Sequence, residues 1–220
     1  MQGSSSPDNR PVRGGRKVGR KPAFTADDVV AAAIAEGIDR FTLSAVAERL
    51  GVVTAAIYRL FPSRDDLVIA CLDAAGATIA LPEPGSRWRD VLRLWADECW
   101  RVCDDFPGLA LLVYAFAPAP SRIEHVFAAY VAALAAEGKT RGQAMFALDF
   151  LGDSVFASHL SVESMRAVDE RGDSGLDRIR RALGAGDTAL RPDDSWIDRG
   201  AVDTKIDFIL AGLEHHWPEI

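Results

Sequence analysis

The sequence predicts an all-α fold, and three observations carry that reading. Alanine is abundant and β-branched runs are scarce, which favours helix. Apolar residues recur at three- and four-residue spacing in one segment after another. The stripes are bracketed by helix start and stop signals: Ser or Thr with an acid three residues on, then Gly or Pro at the far end. No segment reads convincingly as a strand, and no internal repeat is visible. A length of 220 residues permits one or two domains with ample core. With 49% hydrophobic and 26% charged residues, wholesale disorder is excluded.

The first 22 residues are Gly, Ser, Pro and Arg with almost nothing apolar, too little to bury for this arm to order itself. Met1 to Phe24 holds six basic residues (Arg10, Arg13, Arg16, Lys17, Arg20, Lys21) against one acid, Asp8. That is +5 within a total of −7, which leaves −12 on the remainder. A basic arm on an acidic body points to a local anionic partner, or else to a solubilising tail.

Helical order is expected from Thr25, where Thr25 and Asp28 match a capping box. Val29, Val30, Ala33, Ile34 and Ile38 form the first apolar stripe. Leu43, Val46, Ala47 and Leu50 then fall at i, i+3, i+4 and i+7, and Gly51 follows at once. Ala47 is small enough for a second helix to cross closely, and Ile57 lies on the inner face of that helix. Small, glycine and aliphatic at these offsets mark a helix-turn-helix.

Ser63 and Asp66 offer a second capping box, opening a longer helix with Leu67, Cys71, Ala74 and Thr78 inward, before Pro82 to Gly85. Ser86 is a candidate cap for the next helix, whose stripe runs Trp88, Val91, Leu92, Trp95, Cys99, Val102, Cys103 and Phe106. Leu109 to Phe116 reads as a short apolar helix. Ser121 and Glu124 suggest a third capping box, before Ile123, Val126, Phe127, Tyr130, Val131 and Leu134, with Gly138 closing that helix. From Gln143 to Leu160 the pattern is apolar nearly all round, so this helix must be covered on several sides, one of them by a partner subunit. Val162 to Gly200 reads as a long loop with a short helix near Leu176 to Leu183. A final helix carries Val202, Ile206, Ile209, Leu210, Leu213 and Trp217.

The order of parts is a basic arm, a capped helix, a helix-turn-helix, then Ile57, Tyr58, Arg59, Leu60, Phe61, Pro62, Ser63 and Arg64 leading into a capped fourth helix. It resembles the TetR family of transcriptional regulators, most strongly from Phe24 to Leu72. The resemblance implies a basic arm at 1–22, a three-helix DNA-binding domain at 23–68, and a helical ligand-binding and dimerisation domain at 69–220. It also implies a homodimer on a palindromic operator in double-stranded DNA, released by a small, largely apolar effector, with the last long helices forming the dimer interface. Two positions depart from the family pattern. Val53 stands where Ser or Thr usually caps the recognition helix, which leaves Thr54 as the cap one residue later. Leu60 stands where a phosphate donor is common.

On this reading Thr54, Ala55 and Ala56 are small enough to let the helix lie deep in a major groove. Tyr58 and Arg59 reach phosphates or a guanine, or else cover the core and carry a solvated charge. Thr25, Thr42 and Arg64, at helix starts, are phosphate contacts, and no acid lies between Val52 and Ser63. Arg16, Lys17, Arg20 and Lys21 follow a minor groove. Candidate pocket residues are Trp88, Trp95, Cys99, Tyr114, Phe127, Tyr130, Phe150 and Asp153, with Asp149 and His125 as further polar groups. Candidate dimer residues are Phe146, Asp149, Phe156, Ile206, Ile209 and Leu213.

Other functions find less support. No Gly-rich phosphate loop, nucleophile elbow or metal-type spacing occurs, so neither an enzyme nor a cofactor or metal is expected. Cys99 and Cys103 share a face, as a thiol sensor requires, but within an apolar stripe that suits inert core. Three cysteines, no apolar run of 18 residues and no secretory signal suggest a cytoplasmic protein outside the membrane. Two rivals remain: a helical binding protein or enzyme with a structural helix-turn-helix, which has no need of the arm, and an architectural DNA-binding protein, which has no need of so aromatic a body. Removing residues 1–20 is expected to flatten the salt dependence of DNA binding, by about 0.9 in the log–log slope for each phosphate the arm no longer neutralises. Fluorescence anisotropy across a salt series measures this, and an unchanged slope would remove the arm from the interface.

Overall fold

The computed structural model describes residues 24–184 and 189–220, and over those residues the chain is helical without a strand. The arm residues Arg16, Lys17, Arg20 and Lys21 lie outside the described residues. Helices α1 (Ala26–Glu36), α2 (Leu43–Arg49) and α3 (Thr54–Ile57) form a compact head, and α4 (Arg64–Gly76) leads away from it. The body follows as α5 (Trp88–Asp105), α6 (Leu109–Ala115), a 3-10 turn (Ala119–Ile123), α7 (Glu124–Ala136), α8 (Arg141–Arg166), α9 (Gly175–Leu183), a second 3-10 turn (Asp194–Ile197) and α10 (Gly200–His215). Among the described residues, no helix is long and apolar enough to cross a membrane.

Local signals explain most helix starts. Thr25 makes the full reciprocal box with Asp28, and Ser63 Oγ accepts from the Asp66 amide at 3.1 Å. Two expected caps are not made. Ser86 is left outside: α5 begins after Arg87 with no side-chain cap, and Glu137 from the end of α7 accepts from the Trp88 amide instead. Ser121 lies inside the 3-10 turn, where its hydroxyl donates to the Pro118 carbonyl, so it caps nothing. Conversely, Thr140 with Gln143 and Ser174 with Asp177 form full boxes on α8 and α9. Within 162–184 and 189–200 the chain therefore holds more helix than its polar composition suggests. α8 continues to Arg166, and α9 and a 3-10 turn follow on the surface.

Two apolar clusters fill the interior. The first joins the head (Val29, Val46, Ile57) to Leu67, Val68, Cys71, Leu72 and Ala75 of α4, and to the α5 end and α6 through Val102, Phe106 and Leu109. A division at 68/69 thus falls within α4, inside this cluster. The second is built from α5, α7, α8 and α10 around Trp95, Tyr130, Leu148, Leu151 and Ile206. The indole N–H of Trp95 donates to the Leu148 carbonyl at 2.8 Å, fixing α5 against α8. One side of α8 is covered by its own chain, while Phe146 and Phe150 on the other remain exposed beside Phe208.

Head and body also meet at a turn. The Ile38 amide donates to the Pro107 carbonyl at 2.8 Å, and the next residue, Gly108, has φ +90° with no space for a Cβ against Asp39. Both the backbone conformation and the contact demand glycine. Gly108→Ala is expected to destabilise the protein by about 2–4 kcal/mol, read as a lower urea midpoint with an unchanged slope.

Candidate functional site

The head presents α3 to solvent on a turn fixed by local geometry. Gly51 takes φ +66°, and the Val52 amide closes the turn by donating to the Ala47 carbonyl at 2.9 Å. Val46, Ala47 and Ile57 are buried between the helices, as the spacing requires. Val53, 72% exposed, occupies the cap position of α3 without a side-chain bond. Thr54 is the first helical residue, so it does not serve as the displaced cap. Ala55, Tyr58, Arg59 and Leu60 are exposed, while Thr54 and Ala56 are half-buried.

Two residues assigned to phosphate are engaged inside the molecule. Arg64 donates from Nη2 to the Asp39 carbonyl at 2.8 Å and from Nε to the Phe41 carbonyl at 3.2 Å. Its guanidinium lies 4.7 Å over the Phe41 ring. It fastens α4 to the α1–α2 connection rather than reaching outward. The Thr25 hydroxyl donates to the Asp28 carboxylate at 2.8 Å, and the Thr25 bonds hold that carboxyl below its ordinary range. A persistent negative charge beside Thr25 opposes a phosphate there. Thr42 caps α2 by accepting from the Ala45 amide, which leaves its hydroxyl proton free of the cap.

A cavity of about 360 Å³ lies where α4, α5, α6, α7 and α8 converge. Of the pocket candidates, Trp95, Cys99, Tyr114, Phe127 and Asp153 line it. Three other pocket candidates stand elsewhere. Trp88 packs edge-on against Trp217 at 5.3 Å. Tyr130 is fully buried behind Trp95, its hydroxyl donating to the Ala80 carbonyl at 2.7 Å. Phe150 faces outward into a groove with Phe146, Phe208, Ile209 and Leu213. Phe156, assigned to the dimer interface, lines the cavity instead, and Asp149, weighed for both places, lines it too. Ile206 is wholly buried in its own chain and offers nothing to a partner. His125 is exposed and outside the cavity lining.

The sequence reading missed the α4 wall of the cavity, Leu72, Ala75 and Gly76, and also Arg122. The signal was the small-residue run Ala74, Ala75 and Gly76, which removes side-chain volume where the 3-10 turn approaches. Arg122 is held by Asp73 through two bonds, at 2.7 and 2.9 Å. The cysteines are free and buried. Burial pushes the Cys71 thiol up to about 12 and the Cys99 and Cys103 thiols upward, so all three stay protonated. No group of three metal-ligating side chains occurs among the described residues.

Helix α4 connects the two sites. Its first turns, through Leu67 and Val68, complete the head, and its last turn forms the cavity wall.

Comparison with known proteins agrees with this arrangement. Residues 25–71 match the family described as bacterial regulatory proteins, tetR family. An HTH-type transcriptional regulator of Saccharopolyspora erythraea is 31% identical, the match covering 88% of this chain and 86% of that protein. In fold, the chain is similar to a TetR variant from Acinetobacter baumannii AYE in complex with minocycline (TM-score 0.66, 24% identity, 87% of this chain and 97% of the other). It is likewise similar to the TetR family protein ActR of Streptomyces coelicolor in complex with actinorhodin (TM-score 0.62, 21% identity, 87% and 97%).

The geometry gives Arg64 a structural task with a measurable signature. Arg64→Ala is expected to cost about 1–3 kcal/mol of stability, and Arg64→Lys is expected to recover little of it, because an ammonium lacks the planar fork. Urea denaturation of both variants measures the difference.

Proposed function

Because this chain belongs to the TetR family of transcriptional regulators, we propose that it is a ligand-responsive repressor that binds a palindromic operator as a homodimer. Family members bind DNA and small molecules and are typically dimers. The observation that carries the finer reading is α4, which closes the head at one end and walls the cavity at the other. A ligand preferring one arrangement of the body biases the position of the head by its differential affinity, and DNA affinity falls in the same proportion.

The surface assigned to DNA is the exposed face of α3, with Thr54, Ala55, Ala56, Tyr58 and Arg59, joined by Thr42. Its small side chains favour phosphate contacts and groove shape over many base-specific hydrogen bonds. The arm, with Arg16, Lys17, Arg20 and Lys21, is assigned to an adjacent minor groove. Dimerisation is assigned to the outer faces of α8 and α10. There Phe146, Phe150 and Phe208 leave an apolar patch of the kind that marks an interface. Ile209 and Leu213 line the same groove. Two recognition helices in successive major grooves then place the half-sites about 34 Å apart, or a small multiple of it. Such a protein acts in the cytoplasm, where its operator lies. The effector on this reading is small and largely apolar, which the aromatic and aliphatic part of the cavity lining supports.

Selection of bound sequences from a random DNA pool is expected to return a palindrome. On that operator, at fixed salt, Tyr58→Phe with Arg59→Ala is expected to weaken binding about tenfold or more. Unchanged affinity would mean that α3 is not the reading helix, and a non-palindromic site would argue against the symmetric dimer.

A further inference from the structure

The lining of the cavity specifies the charge of its ligand. Its walls are aromatic and aliphatic, with Trp95, Phe127 and Phe156 among them. Two exposed carboxylates line it, Asp149 and Asp153, four residues apart on α8 and therefore on one face. The sole cationic residue in the described lining, Arg122, is committed to Asp73 by two hydrogen bonds. No described residue makes an ion pair with Asp149 or Asp153. Asp153 accepts a hydrogen bond from the Tyr114 hydroxyl at 3.1 Å. Burial first, and then Asp153, push the Tyr114 phenol up to about 12, so it remains a neutral donor.

We propose that the effector is an aromatic cation: a largely apolar, planar molecule carrying one protonated or quaternary nitrogen, seated between the aromatic walls and the Asp149–Asp153 pair. This rests on the reading of the cavity as the effector site. An anionic ligand meets two carboxylates and no uncommitted cation. A neutral ligand leaves the two like charges repelling each other one turn apart. A cation relieves that repulsion and also gains the faces of the aromatic rings.

The test uses the full chain and three probes on one tricyclic frame: N-methylacridinium as the cation, acridine as the neutral form, and an acridine carboxylate as the anion. Binding is followed by fluorescence titration at neutral pH and fixed salt. The cation is expected to bind about tenfold more tightly than acridine, and the anion most weakly. Asp149→Asn with Asp153→Asn is expected to retain acridine binding and abolish the preference, with a single cooperative thermal transition showing that the variant is folded. If all three probes bind equally, or the double variant keeps its preference, the charge assignment is overturned while the cavity stands as a binding site. If none binds, the cavity reading falls and the charge assignment with it.

Discussion

The guanidinium of Arg64 sits where two segments meet: the α1–α2 turn, which supplies two carbonyls and the ring of Phe41, and the start of α4. Two carbonyl bonds and a stacked ring fix its plane, so α4 leaves the head in one direction. Everything downstream depends on that direction. Leu67 and Val68 face the head because α4 starts there, and Ala75 and Gly76, two to three turns later, face the cavity. A helix of 13 residues spans about 20 Å, so one rigid element crosses the distance between the two sites.

The body is organised around α5, whose first half lies in one apolar cluster and whose end lies in the other. Its outer edge is tied to α10 and the segment before it by charged pairs: Arg89 with Glu214 at 2.9 Å, Arg93 with Asp207, and Arg199 with Asp97. Pairs this exposed contribute little stability individually. Their effect is to set the register of α10 on α5, and so to decide which residues of α10 turn outward. Phe208 is outward and Ile206 inward on that register.

What the sequence made legible, and what it did not, follows the range of the interactions involved. The helix-turn-helix was readable because Ala47, Gly51 and Ile57 act through neighbours within a dozen residues. The box at Thr25 and the all-helical class were readable for the same reason. Arg64 was misassigned because its partners, Asp39 and Phe41, lie more than twenty residues away and offer backbone carbonyls. On α8 the apolar pattern has no polar side to orient it. Phe150 and Phe156 were therefore exchanged between cavity and outer surface, although they lie on the same helix. Ser86 and Ser121 had the residue type of a cap, but Glu137 and a 3-10 turn took over the helix starts.

Gly108 gives this head a mechanical character. Besides the apolar cluster they share, the head is joined to the body through the continuous backbone of α4 and through the Ile38–Pro107 hydrogen bond beside Gly108. Together with the shared apolar cluster they fix the tilt of the head as well as its place. Glycine is the part of that clamp with no tolerance, since any side chain there would meet Asp39. The tilt at which the whole helix-turn-helix is held is thus set by a residue more than fifty positions away from α3 in the sequence.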